Sequence, residues 1–381
     1  MPDVVTTVET IKPQGFFGAL MASIKRVGLG FGMLCIAPLM IFWNECNSVE
    51  VAEALDEGAG AVVSVEPATV NPNNEGALVH MSGDATTSNT LSDGMFGVSG
   101  TYIRLSRSVE MYQWKEHKEE KTTNDQKTTT YTYEKVWDDS AHKSSGFEEP
   151  VGHTNPSSWN YDDDSWQAIN VTVGAFSLNE SLIDGIDGSQ DIAPPENSAR
   201  GGTVLGNYLY TGSPGGPAVG DYRIRWSAVS PGPVSLVAGQ SGSSFEPFLT
   251  SNGRDISMID NGTHTAQEMF DAAKQRNVLI TWGIRIIGFL LLFGGILNIV
   301  GPLKVVADKV PLIGGVFSAG LTAISFLGAS FLWSVVVGLA WLTARPLLGI
   351  FLLMMSAGAF VGAIVLIFLG IRKAKAATAA G

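Results

Sequence analysis

The feature that most constrains the fold is a C-terminal stretch in which apolar runs follow one another with few charges between them. The runs are residues 278–300, 312–342 and 347–371. A helix needs about 20 apolar residues to cross the hydrocarbon core of a bilayer, and each run is long enough. No soluble domain needs so much uncharged chain, so the sequence predicts three membrane crossings here. The run 312–342 is longer than one crossing requires, which predicts a tilted, broken or partly interfacial helix.

A fourth apolar run, residues 27–43, lies near the N terminus. Its 17 residues would span roughly 26 Å as a helix, close to the hydrocarbon thickness. The basic pair before it would also suit a cleaved signal peptide. However, Asn44-Glu45-Cys46 offers no small-residue cleavage site. We therefore predict an uncleaved transmembrane helix over residues 27–44.

Charge is divided unevenly along the chain. Residues 45–276 hold 33 acidic and 14 basic residues, a net charge of −19, whereas the remainder carries +7. Lys and Arg concentrate in cytoplasmic segments of membrane proteins. This rule predicts a cytoplasmic N terminus over 1–26, a cytoplasmic loop over 301–311 and a cytoplasmic tail over 372–381. Residues 45–276 are then extracytoplasmic, which means periplasmic in a bacterium or luminal in a eukaryote. Their acidity argues against nucleic-acid binding, which needs a basic surface.

The acidic segment is predicted to be rich in β-structure. Apolar and polar residues alternate in several short runs, as in half-buried strands. Residues 108–116 and 128–137 flank a charged, Thr-rich loop and predict a long antiparallel hairpin, whose alternating aromatic residues could pair across the strands. Helical patterns over 48–58 and 264–277 adjoin the apolar runs. The predicted fold class is an α+β membrane protein, with four transmembrane helices and a large β-rich domain between helices 1 and 2.

The chain contains a series of short sequence motifs, each of which occurs at one position. They are FWNE at 42–45, ALDEG at 54–58, NEG at 74–76, LVHMSG at 78–83, LSD at 91–93, VEMYQW at 109–114, WGIR at 282–285 and RPL at 345–347. In these motifs the chain resembles the transmembrane protein 43 (LUMA) family over nearly its whole length, with weaker likeness over 140–220. We expect it to be a prokaryotic relative.

The resemblance implies four membrane segments, a large luminal or periplasmic domain and self-association. Animal members look like scaffolds of the endoplasmic reticulum and inner nuclear membrane that hold lamins and emerin. The expected location is the bacterial inner membrane for a prokaryotic chain, or those two membranes for a eukaryotic one. The family offers no catalytic residues to transfer.

Arg285 is the most distinctive candidate residue, because it lies about seven residues inside a predicted crossing. A charge at that depth costs at least a few kcal/mol unless it is paired or reaches the headgroups. One interpretation is that Arg285 extends to the interface beside Trp282. The other is an ion pair or lipid-phosphate contact, with an acidic partner such as Glu45 or a residue of 264–277.

Three further sites are candidates for membrane anchoring or packing. Arg345-Pro346 predicts either a tight turn with a topological anchor or a lipid contact. The pairs Gly28/Gly32 and Gly358/Gly362 have the spacing that lets helices approach closely. Such contacts would serve packing within one subunit or between copies.

No catalytic, cofactor or metal site is predicted. The five histidines lack paired-ligand spacing, and the acidic loops do not match the calcium-loop pattern. We expect a non-enzymatic, multi-pass membrane scaffold that self-associates and organises membrane protein complexes or membrane structure. Its expected partners are the lipid bilayer, other membrane proteins and further copies of itself. The alternative is an oligomeric channel or lipid-handling protein, and an extracytoplasmic hydrolase is the least favoured third possibility.

Overall fold

A computed structural model of the chain describes residues 3–10, 16–123, 126–194, 198, 200–307, 314–358 and 360–362. The chain divides into two compact units. We call the first the β-rich unit; it comprises Met1–Lys12 and Gly58–Met269. The second, the helical unit, comprises Pro13–Glu57 and Phe270–Gly381.

Four helices have defined bounds: α1 Phe16–Ala61, α2 Glu180–Asp184, α3 Ala266–Ala307 and α4 Gly314–Ala344. A shorter apolar helix covers Pro346–Gly362, with residue 359 outside the described part. Within the described residues, α1, α3 and α4 are each long and apolar enough to cross a membrane. The fourth predicted crossing, 347–371, lies only partly within the described residues, and that part is helical.

Nineteen strands lie in the described part of the β-rich unit. They are β1 Asp3–Thr10, β2 Val63–Ser64, β3 Leu78–Thr87, β4 Leu91–Asp93, β5 Val98–Gly100, β6 Arg104–Thr123, β7 Gln126–Asp138, β8 Asp164–Gln167, β9 Val171–Val173, β10 Phe176–Ser177, β11 Gln190–Ile192, β12 Thr203–Leu205, β13 Tyr208–Tyr210, β14 Tyr222–Val229, β15 Gly232–Ser241, β16 Ser244–Glu246, β17 Phe248–Leu249, β18 Asp255–Ile256 and β19 Met258–Asn261. Short 3-10 turns cover Pro72–Asn74 and Ser144–Gly146.

Two main sheets organise these strands. The first has the order β1-β7-β6-β14-β13-β12, with β11 on β14 and β8 on β6. The second has the order β10-β9-β3-β15-β16, with β19 on β15 and β2 on β3. Their inward faces share one apolar core that includes Leu105, Val109, Ile224 and Leu236. The prediction of a large β-rich domain is confirmed.

A buried charge network crosses this core. Asp93 is 1 % exposed and accepts hydrogen bonds from Arg107 Nη1 at 2.8 Å and Trp226 Nε1 at 2.9 Å. The Arg107 guanidinium lies between the Phe96 and Trp166 rings, 5.4 and 5.5 Å from their centroids. Because every charge has a partner, the network avoids the large cost of an isolated buried ion.

The long hairpin is present, but its strands extend farther than the sequence analysis predicted. β6 and β7 pair continuously from Met111↔Asp138 to Thr123↔Gln126. The charged segment predicted as a loop is therefore strand, apart from residues 124–125, which are outside the described part. Tyr112 and Trp137 lie opposite each other with ring centroids 5.2 Å apart, which confirms one cross-strand aromatic pair.

The N-terminal strand β1 was not predicted. It pairs antiparallel with β7 from Asp3↔Tyr133 to Thr10↔Gln126. A backbone ladder cannot form across a bilayer, so this pairing in the membrane-bound protein would place residues 3–10 on the same side as β7. The cytoplasmic assignment of 1–26 and the extracytoplasmic assignment of 45–276 stay predictions. Residues 16–26, predicted as part of a cytoplasmic N terminus before the first helix, are the first turns of α1.

Helix boundaries follow the apolar runs but extend past them. α1 and α3 each join a predicted crossing to the adjacent amphipathic pattern without a break, as the sequence indicated. At its other end α3 continues through Pro302 to Ala307. The segment 301–307, predicted as cytoplasmic loop, is therefore helical, and residues 308–311 lie outside the described part.

Candidate functional site

The site in the helical unit is built around an ion pair between α1 and α3. Arg285 Nε lies 2.6 Å from Glu45 Oε1, and Arg285 Nη2 lies 2.7 Å from Glu45 Oε2. The Glu45 side chain is 1 % exposed and that of Arg285 is 12 % exposed. Two parallel charge-assisted hydrogen bonds of this kind fix both distance and orientation. Of the acidic residues suggested as partners for Arg285, Glu45 is the one observed, and the ion-pair interpretation agrees with this contact.

A third helix contributes to the same cluster. Trp341 Nε1, on α4, donates to Glu45 Oε2 at 2.8 Å. Trp333, also on α4, donates from Nε1 to the backbone carbonyl of Arg285 at 3.2 Å. The guanidinium also lies 4.8 Å from the Trp282 ring centroid. Glu45 and Arg285 therefore connect three apolar helices through polar groups that the helices would otherwise have to leave unpaired.

A ladder of smaller polar groups continues from the ion pair along α1 and α3. Asn277 Nδ2 donates to the Ser48 carbonyl at 2.8 Å, and Thr281 Oγ1 donates to Ser48 Oγ at 2.8 Å. Asn44 Nδ2 lies 3.4 Å from the Thr281 carbonyl. Asn44 and Ser48 are four residues apart, as are Asn277, Thr281 and Arg285 in succession, so each set lies on one helix face.

Sequence reasoning missed this ladder and both tryptophans of α4. The four-residue spacing of polar residues in otherwise apolar helices was the available signal. Trp341 and Trp333 gave no signal, because an aromatic residue in an apolar run is equally suited to lipid contact.

Two cavities adjoin the ion pair. One has a volume of about 270 Å³ and is lined by α1, α3 and the end of α4, with Glu53, Asp56, Arg285 and Arg345 on its wall. The other is an apolar cleft of about 650 Å³ between α3, α4 and the Pro346–Gly362 helix. Trp282 and Arg285 line both of them.

The four predicted packing glycines make no close contacts with the residues that the structure describes. A Cβ atom added at Gly28, Gly32, Gly358 or Gly362 would meet no described atom within 4 Å. A packing role for these glycines, whether inside one subunit or between copies, stays a prediction.

The close approach of α1 and α3 occurs instead at a different glycine pair. A Cβ at Gly30 would lie 2.6 Å from the Gly295 carbonyl oxygen, and one at Gly295 would lie 3.1 Å from the Gly30 carbonyl oxygen. A side chain at either position would separate the helices.

Arg345-Pro346 forms the predicted tight turn. α4 ends at Ala344, Arg345 is non-helical, and the next helix begins at Pro346. Ser356 Oγ donates to Ser334 Oγ at 2.6 Å across the two helices, so they run antiparallel. The exposed Arg345 guanidinium lies 5.8 Å from the Trp341 ring centroid.

This arrangement is suited to holding helices together and to binding an amphiphile. Within the described residues, no group of three or more His, Cys, Asp or Glu side chains is arranged to hold a metal ion. The polar side chains of the cluster are mutually satisfied, and their partners are other helices.

Comparison with known proteins identifies the family. The model of the family described as Transmembrane protein 43 matches residues 111–346. The chain is 31 % identical over 358 residues to Transmembrane protein 43 of Homo sapiens, covering 89 % of this chain and 90 % of that one. It is 32 % identical over 358 residues to the Pongo abelii protein, with the same coverage.

A more distant relative is similar over almost the same length. The Drosophila melanogaster protein named Transmembrane protein 43 homolog is 30 % identical over 339 residues, covering 84 % of this chain and 89 % of that one. No solved structure matches the chain significantly. The chain belongs to the transmembrane protein 43 family of membrane proteins.

Proposed function

We propose that this protein is a multi-pass membrane scaffold, which self-associates and organises membrane protein complexes or membrane structure through its β-rich unit. In support of this proposal, the helical unit can anchor the protein in a membrane, and its helices are joined by the Glu45–Arg285 ion pair. The β-rich unit provides a large surface with sheet edges to which other chains can add.

The observation that carries the proposal is the terminal position of β1 in the first sheet. β1 pairs with β7 on one side only, within the described residues. Its Val4 and Val8 side chains are 56 % and 59 % exposed. At the opposite end, β12 carries Leu205 at 59 % exposure. A sheet edge with exposed apolar side chains favours addition of a partner strand, with backbone hydrogen bonds for affinity and side chains for specificity.

Substitution at the β1 edge tests self-association. Val4→Lys/Val8→Lys places two charges on the edge, which disfavours pairing with another strand. We expect the mass of the full chain in detergent, measured by light scattering after size exclusion, to fall relative to the parent. Val151→Lys is the control, since Val151 is 84 % exposed outside the strands. A parent that stays monomeric over the accessible concentration range would contradict the proposal.

The proposed organisation of membrane protein complexes needs a separate measurement, which is the set of proteins bound in the membrane. Cross-linking of the parent and the edge variant in native membranes, followed by identification of the captured membrane proteins, measures it directly. We expect partners lost from the edge variant to be retained by Val151→Lys. Identical partner sets for all three proteins would remove the edge from the proposed mechanism.

A second candidate function is an oligomeric channel or lipid-handling protein. The apolar cleft of about 650 Å³ among the helices favours it. Against conduction, the charged groups nearest the cleft are engaged with each other, because Arg285 is paired with Glu45. Reconstitution into liposomes with ion-flux and lipid-transfer assays separates these functions from a scaffold.

A further inference from the structure

The 270 Å³ cavity has an unusual balance of charge. Its wall carries two acidic side chains, Glu53 and Asp56, and two basic ones, Arg285 and Arg345. The net formal charge of the wall is therefore zero, with both signs represented. Such a surface complements a ligand that is itself dipolar more closely than one with a single charge.

Two of the four charges already have partners. Arg285 is paired with Glu45, and Asp56 Oδ1 lies 2.6 Å from Lys274 Nζ. Glu53 and Arg345 are exposed, and neither forms an ion pair within the part of the chain that the structure describes. The cavity thus offers one carboxylate and one guanidinium to a ligand.

The apolar cleft adjoins this cavity at two shared residues of its wall. Trp282 and Arg285 line both spaces, and the cleft extends along Phe289, Leu327, Phe331 and Met355. These residues belong to the apolar helices α3 and α4 and to the helix after Arg345. An apolar space among helices that can cross a bilayer is suited to hydrocarbon.

We propose that the cavity and the cleft together bind one phospholipid with a zwitterionic headgroup that carries a primary ammonium. Arg345 binds the phosphate, because a guanidinium matches phosphate oxygens with paired N–H donors. Glu53 accepts hydrogen bonds from the ammonium, which a quaternary ammonium cannot donate. One acyl chain occupies the cleft. This inference goes beyond the scaffold proposal and does not depend on it.

Lipid titration of the delipidated full chain, followed by native mass spectrometry, tests the proposal. The probes are phosphatidylethanolamine, phosphatidylcholine and phosphatidylglycerol with identical acyl chains. We expect phosphatidylethanolamine to bind most tightly. Arg345→Ala should weaken it roughly tenfold or more, the effect of losing a charge-assisted contact. Glu53→Gln should remove the preference over phosphatidylcholine.

Matched controls keep the charge change but move it away from the cavity. Arg225→Ala and Glu246→Gln alter exposed residues of the β-rich unit, and both should bind lipid as the parent does. Met355→Trp fills the cleft without removing a charge, and it should also weaken phosphatidylethanolamine binding. This variant keeps the test decisive if Arg345→Ala fails to fold.

Three results would overturn the proposal. The first is equal or tighter binding of phosphatidylglycerol, which would indicate a general anion preference. The second is unchanged phosphatidylethanolamine affinity in folded Arg345→Ala or Met355→Trp. The third is displacement of the lipid by inorganic phosphate alone, which would reduce the cavity to an anion site.

Discussion

At the scale of single residues, the cost of placing charge inside a membrane is met by pairing. Arg285 could have extended to the headgroups, but its guanidinium is bound by Glu45 through two short hydrogen bonds. Removing one member of such a pair leaves the other uncompensated in a low-dielectric environment. We therefore expect the pair to hold α1 and α3 together.

Gly30 and Gly32 of α1 allow a prediction in which one glycine is the control for the other. Gly30→Val should destabilise the full chain by about 1–3 kcal/mol, the usual cost of overpacking, because its Cβ would lie 2.6 Å from a backbone oxygen of α3. Gly32→Val, with nothing within 4 Å, should leave stability unchanged. Thermal unfolding in detergent measures both.

The same pair of variants distinguishes packing from self-association. If Gly32 lies between copies, Gly32→Val should alter the oligomeric mass without lowering the midpoint of unfolding. Equal destabilisation by both valines would contradict the close approach at Gly30.

Acid stability should depend on Asp138. Burial alone would raise its pKa, but hydrogen bonds from Lys115 at 2.7 Å and His142 at 3.0 Å, together with the Ser140 backbone N–H, hold the pKa well below its ordinary value. A pKa lowered by folding contributes stability above the unfolded value, and that stability is lost as pH falls below it.

Asp138→Asn should therefore reduce the loss of stability on acidification below about pH 4. Asp187→Asn, at an exposed site, should behave as the parent. Tryptophan fluorescence during thermal unfolding between pH 3 and 7 follows the difference. An Asp138→Asn variant that loses stability with acid as steeply as the parent would contradict this account.

At the scale of elements, the sequence predicted the helices and strands whose formation depends on a local pattern of apolar and polar residues. The helices were found because lipid demands continuous apolar runs, and amphipathic patterns continued α1 and α3 beyond them. Strand existence was predicted by alternation, but sheet order was not, because pairing joins residues far apart in sequence. Glu45 was among the partners suggested for Arg285, because it lies directly after the first apolar run.

β1 shows why contacts between distant parts of the chain could not be predicted from the sequence. Residues 3–10 read as a short polar terminus, because nothing local indicates that β7 lies beside them. The hairpin turn was also misjudged, since charged and Thr-rich residues of β6 and β7 resemble a loop until they are paired. The Gly28/Gly32 spacing was visible, but the contact uses Gly30, on another face of the helix.

Cysteine cross-linking tests the pairing of β1. Thr6 and Thr130 lie directly opposite each other, where Cα atoms of antiparallel strands are about 4.5–5.5 Å apart and within disulfide range. With Cys35 and Cys46 replaced by serine, Thr6→Cys/Thr130→Cys should form an intrachain disulfide on mild oxidation. Thr6→Cys/Lys127→Cys, three residues out of register, should not.

The outcome also decides the sidedness of the N terminus. An intrachain disulfide places residues 3–10 with the β-rich unit, whereas absence of any cross-link in folded protein would favour the predicted cytoplasmic segment. A disulfide between copies would indicate that β1 pairs with a neighbour.

At the scale of the whole molecule, two units of opposite character share one chain. The acidic β-rich unit has a core of its own, and the helical unit has another, around Ala37, Ile41 and Leu292. Few polar groups interrupt the apolar helices, and the largest cluster of them joins α1, α3 and α4. We therefore expect Glu45 and Arg285 to act as one unit that holds the membrane helices together.

A double-mutant cycle on this pair is the most direct measurement. Arg285→Leu and Glu45→Leu should each destabilise the full chain in lipid or detergent by about 3–5 kcal/mol, and the double variant should be more stable than either single one. Arg276→Leu, an exposed site on the same helix, should have little effect. Additive losses in the double variant, or an Arg285→Leu protein as stable as the parent, would contradict the account.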